Sequence, residues 1–197
     1  MTDSLKYDLE AIANTAKAKA FLGKEFLTWF WYKAERLDGQ TLTVAGKSSQ
    51  RTFTFWVDDR LVLESHNSKV HQQTLKGGEP SQSLEAAASL QSGNSVKELR
   101  IGLNIDGLGD IYCSLSGQNL EPRTVKLPDP PEEFASFEDF NLLTYRLKAT
   151  RAMIEVIDGL FGIFLLERTQ DDWSNKGLSE IKTWIKGRFS DANQYLH

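Results

Sequence analysis

The chain has 197 residues, of which 40% are hydrophobic and 11% aromatic, so a sizeable core is expected and wholesale disorder is excluded. Its formal net charge is -4 and its pI about 5.5, which is not the basic balance typical of a nucleic-acid-binding module. A local basic surface can still contact phosphates. The single cysteine, Cys113, excludes an intramolecular disulfide and fits a reducing compartment. With no signal-peptide pattern and no apolar run long enough to span a membrane, we expect a cytoplasmic protein.

The first part of the chain predicts a weakly packed leader followed by a buried helix. Residues 1–20 are polar and alanine-rich, and we interpret them as a helical or mobile leader. Apolar and aromatic residues then recur at spacings of three and four from Phe21 to Glu35. The apolar arc of this segment is wide, so the aromatic helix is expected to be buried on most sides. A core helix explains it better than an aromatic ligand-binding box.

Residues 41–127 predict an antiparallel sheet interrupted by one helix. Alternating or β-branched segments mark the strands at 41–44, 52–57, 61–64, 70–75, 96–105, 111–116 and 120–127. The pair Asp58 and Asp59 is interpreted as a two-residue hairpin connection between two of them. Pro80 opens the predicted helix, which ends near Gly93.

The chain becomes helical after a Pro-rich connection at residues 128–136. Apolar residues keep a helical spacing from about 137 to 168, and Gly159 and Gly162 predict a kink or a break there. The two glycines would seat either a partner helix or a close intramolecular contact, and the sequence does not decide between these. The fold class is therefore α+β, with an aromatic helix and antiparallel sheet at 21–127 and a helical region at 137–197 that packs on the sheet.

The last helical segment offers the best candidates for phosphate contacts. An apolar stripe that includes Ile181 and Trp184 is opposed by Lys182, Lys186 and Arg188. We take these three cations as candidate nucleic-acid-binding residues. The alternative is an amphipathic helix packed on the core with a solvated basic edge.

No catalytic, metal or cofactor site is expected from the sequence. Four carboxylates suggest a metal-dependent nuclease only weakly, because all of them fall in predicted turns: Asp58, Asp59, Asp106 and Asp110. His66 and His71 lie five residues apart with no further ligand at zinc spacing. Cys113 falls on an alternating strand and is expected to be a buried thiol. The sequence thus favours a non-catalytic protein and leaves an enzymatic role open.

The aromatic helix also carries a resemblance to a known family. The string Phe-Leu-Gly-Lys-Glu-Phe-Leu-Thr-Trp-Phe-Trp-Tyr at 21–32, followed by Glu35, resembles a segment in the C-terminal part of RdgC-like recombination-associated proteins. The order of the later elements, from Val96 to the closing apolar helix, is similar over residues 20–170. This resemblance implies a non-catalytic protein that binds duplex DNA without sequence preference through phosphate contacts. The alternative is a protein-interaction or oligomeric assembly module without nucleic acid, and either function is compatible with a homo-oligomer.

Overall fold

The structure, a computed structural model, describes residues 20–46, 50–65, 72–131 and 139–194. Within these residues the fold is α+β, as predicted, with a helix before a six-stranded antiparallel sheet and further helices after it. The helices are α1 (Ala20–Leu37), α2 (Leu84–Gln91), α3 (Asp139–Arg168) and α4 (Leu178–Gln194). The strands are β1 (Leu42–Ala45), β2 (Gln50–Glu64), β3 (Gln72–Lys76), β4 (Ser95–Ile105), β5 (Gly109–Ser116) and β6 (Pro122–Lys126). Nearly all of the predicted leader, His66, His71 and residues 132–136 of the Pro-rich connection lie outside the described residues.

Helix α1 lies in the core, which confirms that the aromatic segment is a buried helix. Trp31, Phe26 and Phe30 have no exposed surface. The ring of Phe26 lies 5.3 Å from that of Phe161 on α3, and the ring of Phe30 lies 4.7 Å from that of Phe55 on β2. These aromatic contacts join α1 to the sheet on one side and to α3 on another, and such pairs stabilise a core beyond their burial alone.

The sheet has the strand order β1-β2-β4-β5-β6, and β3 pairs with the second half of β2. The inward residues of β4 and β5 alternate as predicted and are almost completely buried: Leu99, Ile101, Leu103, Ile105, Ile111, Cys113 and Leu115. The predicted hairpin between these strands and the predicted edge strand β6 are both confirmed. Because side chains alternate along a strand, the opposite face of the sheet carries the polar residues and two aromatic rings.

The predicted hairpin at Asp58 and Asp59 is wrong. Strand β2 runs without a break through both residues, and its register with β4 shifts between Val57 and Leu61. A register shift of this kind accommodates extra residues on one strand without reversing the chain, as a β-bulge does. The side chain of Arg100 on β4 pairs with both carboxylates, its Nε lying 2.9 Å from Asp58 Oδ2 and 3.3 Å from Asp59 Oδ1. This ion-pair network supports polar residues within the strand, where local propensity predicts a turn.

The helix predicted to begin at Pro80 is divided into two parts. A 3₁₀ turn covers Pro80–Gln82, and α2 begins after Ser83. The Ser83 hydroxyl accepts a hydrogen bond from the Ala86 N–H at 3.1 Å, which caps the first turn of α2. The cap explains why the α-helix starts after Ser83 and not at Pro80.

Helix α3 is continuous over 30 residues, so the predicted kink or break at the two glycines is not found. A Cβ atom at Gly159 would lie 2.7 Å from the Cβ of Val44 on β1, whereas a Cβ at Gly162 would meet no atom within 4 Å. Gly159 therefore serves a close intramolecular contact. A π-helical turn at Trp173–Gly177 connects α3 to α4. None of the helices in the described part of the chain has the length and apolarity that a membrane crossing requires.

Candidate nucleic-acid interface

Helix α4 is amphipathic, as predicted, and its apolar side faces the rest of the protein. Ile181 is buried, while Leu178, Trp184 and Ile185 are partly buried. The ring of Trp184 packs edge-on against Trp31 of α1, with centroids 5.3 Å apart. This packing fixes the orientation of α4 and so determines which of its basic side chains reach solvent.

Lys182 and Lys186 are exposed on the outer side of α4. They are four residues apart, so they lie one helical turn apart on the same face. Two ammonium groups in this arrangement can contact phosphates along one strand of a nucleic acid. The structure therefore brings these two predicted residues together on an accessible surface.

Arg188, the third predicted residue, points inward, and only 10% of its side chain is exposed. Its Nη1 donates to the carboxylate of Glu35, and its Nη2 donates to the backbone carbonyl of Ser81. The guanidinium carbon lies 5.1 Å from the ring centroid of Trp31 and 5.5 Å from that of Trp184. In this arrangement Arg188 anchors α4 to α1, and the structure does not bring it together with the two lysines.

Glu35 is the residue around which this anchor is built. Its Oε1 accepts a hydrogen bond from Trp31 Nε1 at 2.7 Å, and its Oε2 accepts one from Trp184 Nε1 at 2.8 Å. With the guanidinium of Arg188, one carboxylate therefore accepts hydrogen bonds from three side chains of α1 and α4. The sequence signal for Glu35 was its position four residues after Trp31, on the same face of the aromatic helix.

A second contact holds the beginning of α4 against α1. The hydroxyl of Tyr32 donates to Glu180 Oε2 at 3.1 Å. Burial raises the pKa of Tyr32 above its usual value, and the hydrogen bond and negative charge of Glu180 raise it further. Glu180 also places a negative charge on α4 two residues before Lys182, which weakens the local attraction for phosphate.

The solvent-facing side of the sheet has an aromatic row that sequence reasoning missed. Trp56, Gly102, Tyr112 and Lys126 are consecutive cross-strand partners on β2, β4, β5 and β6. The rings of Trp56 and Tyr112 are 5.9 Å apart, and Lys126 Nζ lies 5.7 Å from the Tyr112 centroid. The sequence does contain a signal for this row. Side chains alternate between the two faces of a strand, and Phe53 and Phe55 face inward, so Trp56 is expected on the opposite face.

The four candidate nuclease carboxylates do not form a metal centre in the structure. Asp58 and Asp59 pair with Arg100, while Asp110 Oδ1 accepts a hydrogen bond from Asn104 Nδ2 at 2.6 Å. Among the described residues, no group of three or more His, Cys, Asp or Glu side chains is placed to hold a metal ion.

Cys113 is completely buried, as predicted, and burial raises the pKa of its thiol to about 12. Because the thiolate is the reactive form, this thiol is not a nucleophile in the folded protein at neutral pH.

Comparison of the chain with protein-family models, with curated proteins and with solved structures finds no match in any of the three.

Proposed function

We propose that this chain is a cytoplasmic, non-catalytic protein that binds duplex DNA through phosphate contacts and is associated with recombination, as its resemblance to the RdgC group implies. The observation that carries the proposal is the exposed pair of Lys182 and Lys186 on α4. Phosphate contacts position a protein on DNA without reading its sequence, and two lysines on one helix face suit this role. A homo-oligomer would bring several such helices to one duplex.

The way α4 is held supports this proposal. Arg188, Trp184 and Glu180 all bond to α1, so the two lysines project from a stretch of α4 that is held on both sides of them. A fixed surface binds with a smaller loss of conformational entropy than a mobile one. Because the total charge is acidic, the long-range attraction between the protein and DNA is weak. Binding is therefore expected at low salt concentration.

The test is an anisotropy titration of the full chain with labelled duplex DNA at 50 and 200 mM salt. Each phosphate contact contributes about 0.9 to the slope of log affinity against log salt concentration. This slope is negative, and the double variant Lys182→Glu/Lys186→Glu should therefore make it shallower by about 1.8 and weaken binding at the lower salt concentration. The affinities of the wild type and of the double variant should both depend little on the base sequence of the duplex.

A matched control carries the same change in charge on other elements. Lys76 on β3 and Lys148 on α3 are also exposed, so Lys76→Glu/Lys148→Glu alters the net charge equally. This control should retain the wild-type salt slope. If wild type does not bind at 50 mM salt, or if the two double variants lose affinity equally, phosphate contact through α4 is rejected.

A second candidate function, a protein-interaction or oligomeric assembly module, is favoured by an exposed apolar stripe on α3. The stripe consists of Leu143, Leu147 and Ile154, whose exposed fractions are 55%, 61% and 44%. Phe161 lies seven residues after Ile154, on the same side of the helix, and is buried in the core. An apolar face that continues beyond the core of the protein is typical of a helix with a binding partner.

Light scattering and sedimentation test this candidate, and the duplex titration described above distinguishes it from DNA binding. The double variant Leu143→Lys/Leu147→Lys should reduce the mass of a wild-type oligomer without changing the fold. A matched change at Lys148→Leu, which adds an apolar residue beside the stripe, should leave the oligomer intact. A monomeric wild type at about 100 μM would reject the stripe as a self-association surface, because stable interfaces form well below that concentration.

A further inference from the structure

A cavity of about 390 Å³ lies between α1, α4 and the junction of α2 with β4. Its wall is mainly apolar and includes Leu90, Trp173, Leu178, Ile181 and Ile185. This volume is within the usual range for small-molecule sites, which are also mostly apolar with few polar groups. The cavity lies on the inner side of α4 and is separate from the exposed lysines.

The charged residues of the lining, Lys24 and Glu25, carry a net positive charge when they are counted together with their ion-pair partners outside the lining. Lys24 lines the cavity, and its Nζ lies 2.9 Å from Glu64 Oε1. Lys97 Nζ lies 3.3 Å from the other oxygen of the same carboxylate, so two lysines share one Glu. Glu25, the acidic residue of the lining, is neutralised by Arg168 at 2.7 Å.

The charges of these groups therefore sum to one positive charge beside an apolar chamber. A ligand that complements both features has an apolar body and one negative head group. Phosphate esters with large polar bodies do not suit the walls, and a neutral hydrocarbon does not use the charge. The chemistry fits an aliphatic carboxylate.

We propose that this cavity binds a medium-chain aliphatic monocarboxylate, with its chain against the Leu90, Ile181 and Ile185 wall and its carboxylate beside Lys24. Lys24 then exchanges part of its contact with Glu64 for the ligand head group, while Lys97 retains Glu64. The proposal concerns the inner face of α4 and does not depend on DNA binding by the outer face.

The experiment is calorimetric titration of the full chain with hexanoate, octanoate and decanoate, and with decanol as the uncharged equivalent. Affinity should rise about threefold to fourfold for each added methylene, because each is transferred from water to the apolar wall. Decanoate should bind with one ligand per chain. The indole N–H signal of Trp173, which lines the cavity, should shift on binding in a two-dimensional NMR spectrum.

Two variants identify the site. Lys24→Gln should weaken decanoate binding about tenfold and leave decanol binding unchanged, since about one charge-assisted contact is lost. Lys33→Gln is the matched control: this lysine also lies on α1 and pairs with a Glu at 2.9 Å, but it does not line the cavity. Thr28→Phe places a ring in the cavity and should abolish binding.

The proposal is overturned by any of three results: no saturable binding of decanoate up to about 1 mM, an affinity that does not depend on chain length, or equal decanoate affinities for wild type and Lys24→Gln. If Thr28→Phe does not fold, the chain-length series and the two lysine variants still decide.

Discussion

The indole of Trp56 occupies the space above Gly102, its direct partner across strands β2 and β4. A Cβ atom added at Gly102 would lie 2.1 Å from Trp56 Cε2 and 2.4 Å from its Nε1. Glycine is therefore needed at position 102 because a larger side chain would clash with Trp56, and not because the backbone has a positive φ angle. By covering the glycine, Trp56 extends the sheet surface towards Tyr112 and allows the edge-on contact between the two rings.

Gly102→Ala should destabilise the protein by about 1–3 kcal/mol, because the new methyl group displaces the indole from the sheet. Denaturant unfolding measures this loss. In a Trp56→Ala background the same substitution should cost much less, or even stabilise β4, since alanine is preferred to glycine within a strand. Additive effects of the two substitutions would contradict a direct clash between them.

The two glycines of α3 provide a matched pair, because both lie inside one helix and an added Cβ atom would contact another element at Gly159 but not at Gly162. Replacing either by alanine gains the same helix propensity, about 1 kcal/mol. At Gly159 the added methyl group meets the stiff, buried side chain of Val44, and at Gly162 it meets open space. Gly162→Ala should therefore be the more stable variant by about 1–3 kcal/mol in denaturant unfolding. Equal stabilities of the two variants would show that Val44 and β1 can move away from the added methyl group at little cost in free energy.

The buried carboxylate of Glu155 should make stability depend on pH. It accepts hydrogen bonds from Arg51 at 2.9 Å and Arg151 at 3.0 Å, and the bond from Arg51 is the main cause of its lowered pKa. Because the folded pKa lies below the unfolded value of about 4.3, this stabilisation is present above that value and lost as pH falls through the folded pKa.

Glu155→Gln should lower the free energy of unfolding by about 1.5–3 kcal/mol at pH 7. The stability curves of wild type and variant should converge as pH falls below 4. Asp171→Asn, which removes an exposed carboxylate, serves as the control and should change stability little. If the difference in free energy of unfolding between Glu155→Gln and wild type stays constant from pH 7 to pH 3, protonation of Glu155 does not control this part of the stability.

The fold could be predicted from the sequence where local pattern and tertiary structure agree. The spacing of Phe26, Trp29 and Phe30 predicted α1, and strict alternation from Leu99 to Ile105 predicted β4. The pattern failed at Asp58 and Asp59, where Arg100 of the neighbouring strand supports two carboxylates that local propensity assigns to a turn. No local signal identifies a partner 42 residues away.

The candidate site could be predicted only in part, for a similar reason. Helical spacing placed Lys182 and Lys186 on a common face, and this follows from α4 alone. The direction of Arg188 depends on Glu35, which is 153 residues earlier in the chain. Amphipathic periodicity predicts that an arginine beside an apolar stripe is solvated, whereas here two indole rings and a carboxylate provide a better environment for it.

Arg188 should therefore affect stability more than DNA binding. Arg188→Ala removes charge-assisted hydrogen bonds to Glu35 and Ser81 and two cation–π contacts, and should lower the free energy of unfolding by about 2–3 kcal/mol. Lys182→Ala and Lys186→Ala, which change exposed positions on the same helix, should stay within about 0.5 kcal/mol of wild type. Thermal or denaturant unfolding measures all three variants.

A double-mutant cycle with Glu35→Gln tests the mechanism of this anchor. The two residues share one hydrogen-bonded network, so the combined loss should differ from the sum of the single losses by more than about 0.5 kcal/mol. Arg188→Lys keeps the charge but not the fork geometry that contacts Glu35 and Ser81 together, so it should recover little of the lost stability. If Arg188→Ala instead loses duplex affinity with no loss of stability, and Arg188→Lys restores that affinity, charge at this position acts on DNA. Arg188 would then be a phosphate contact beside Lys182 and Lys186.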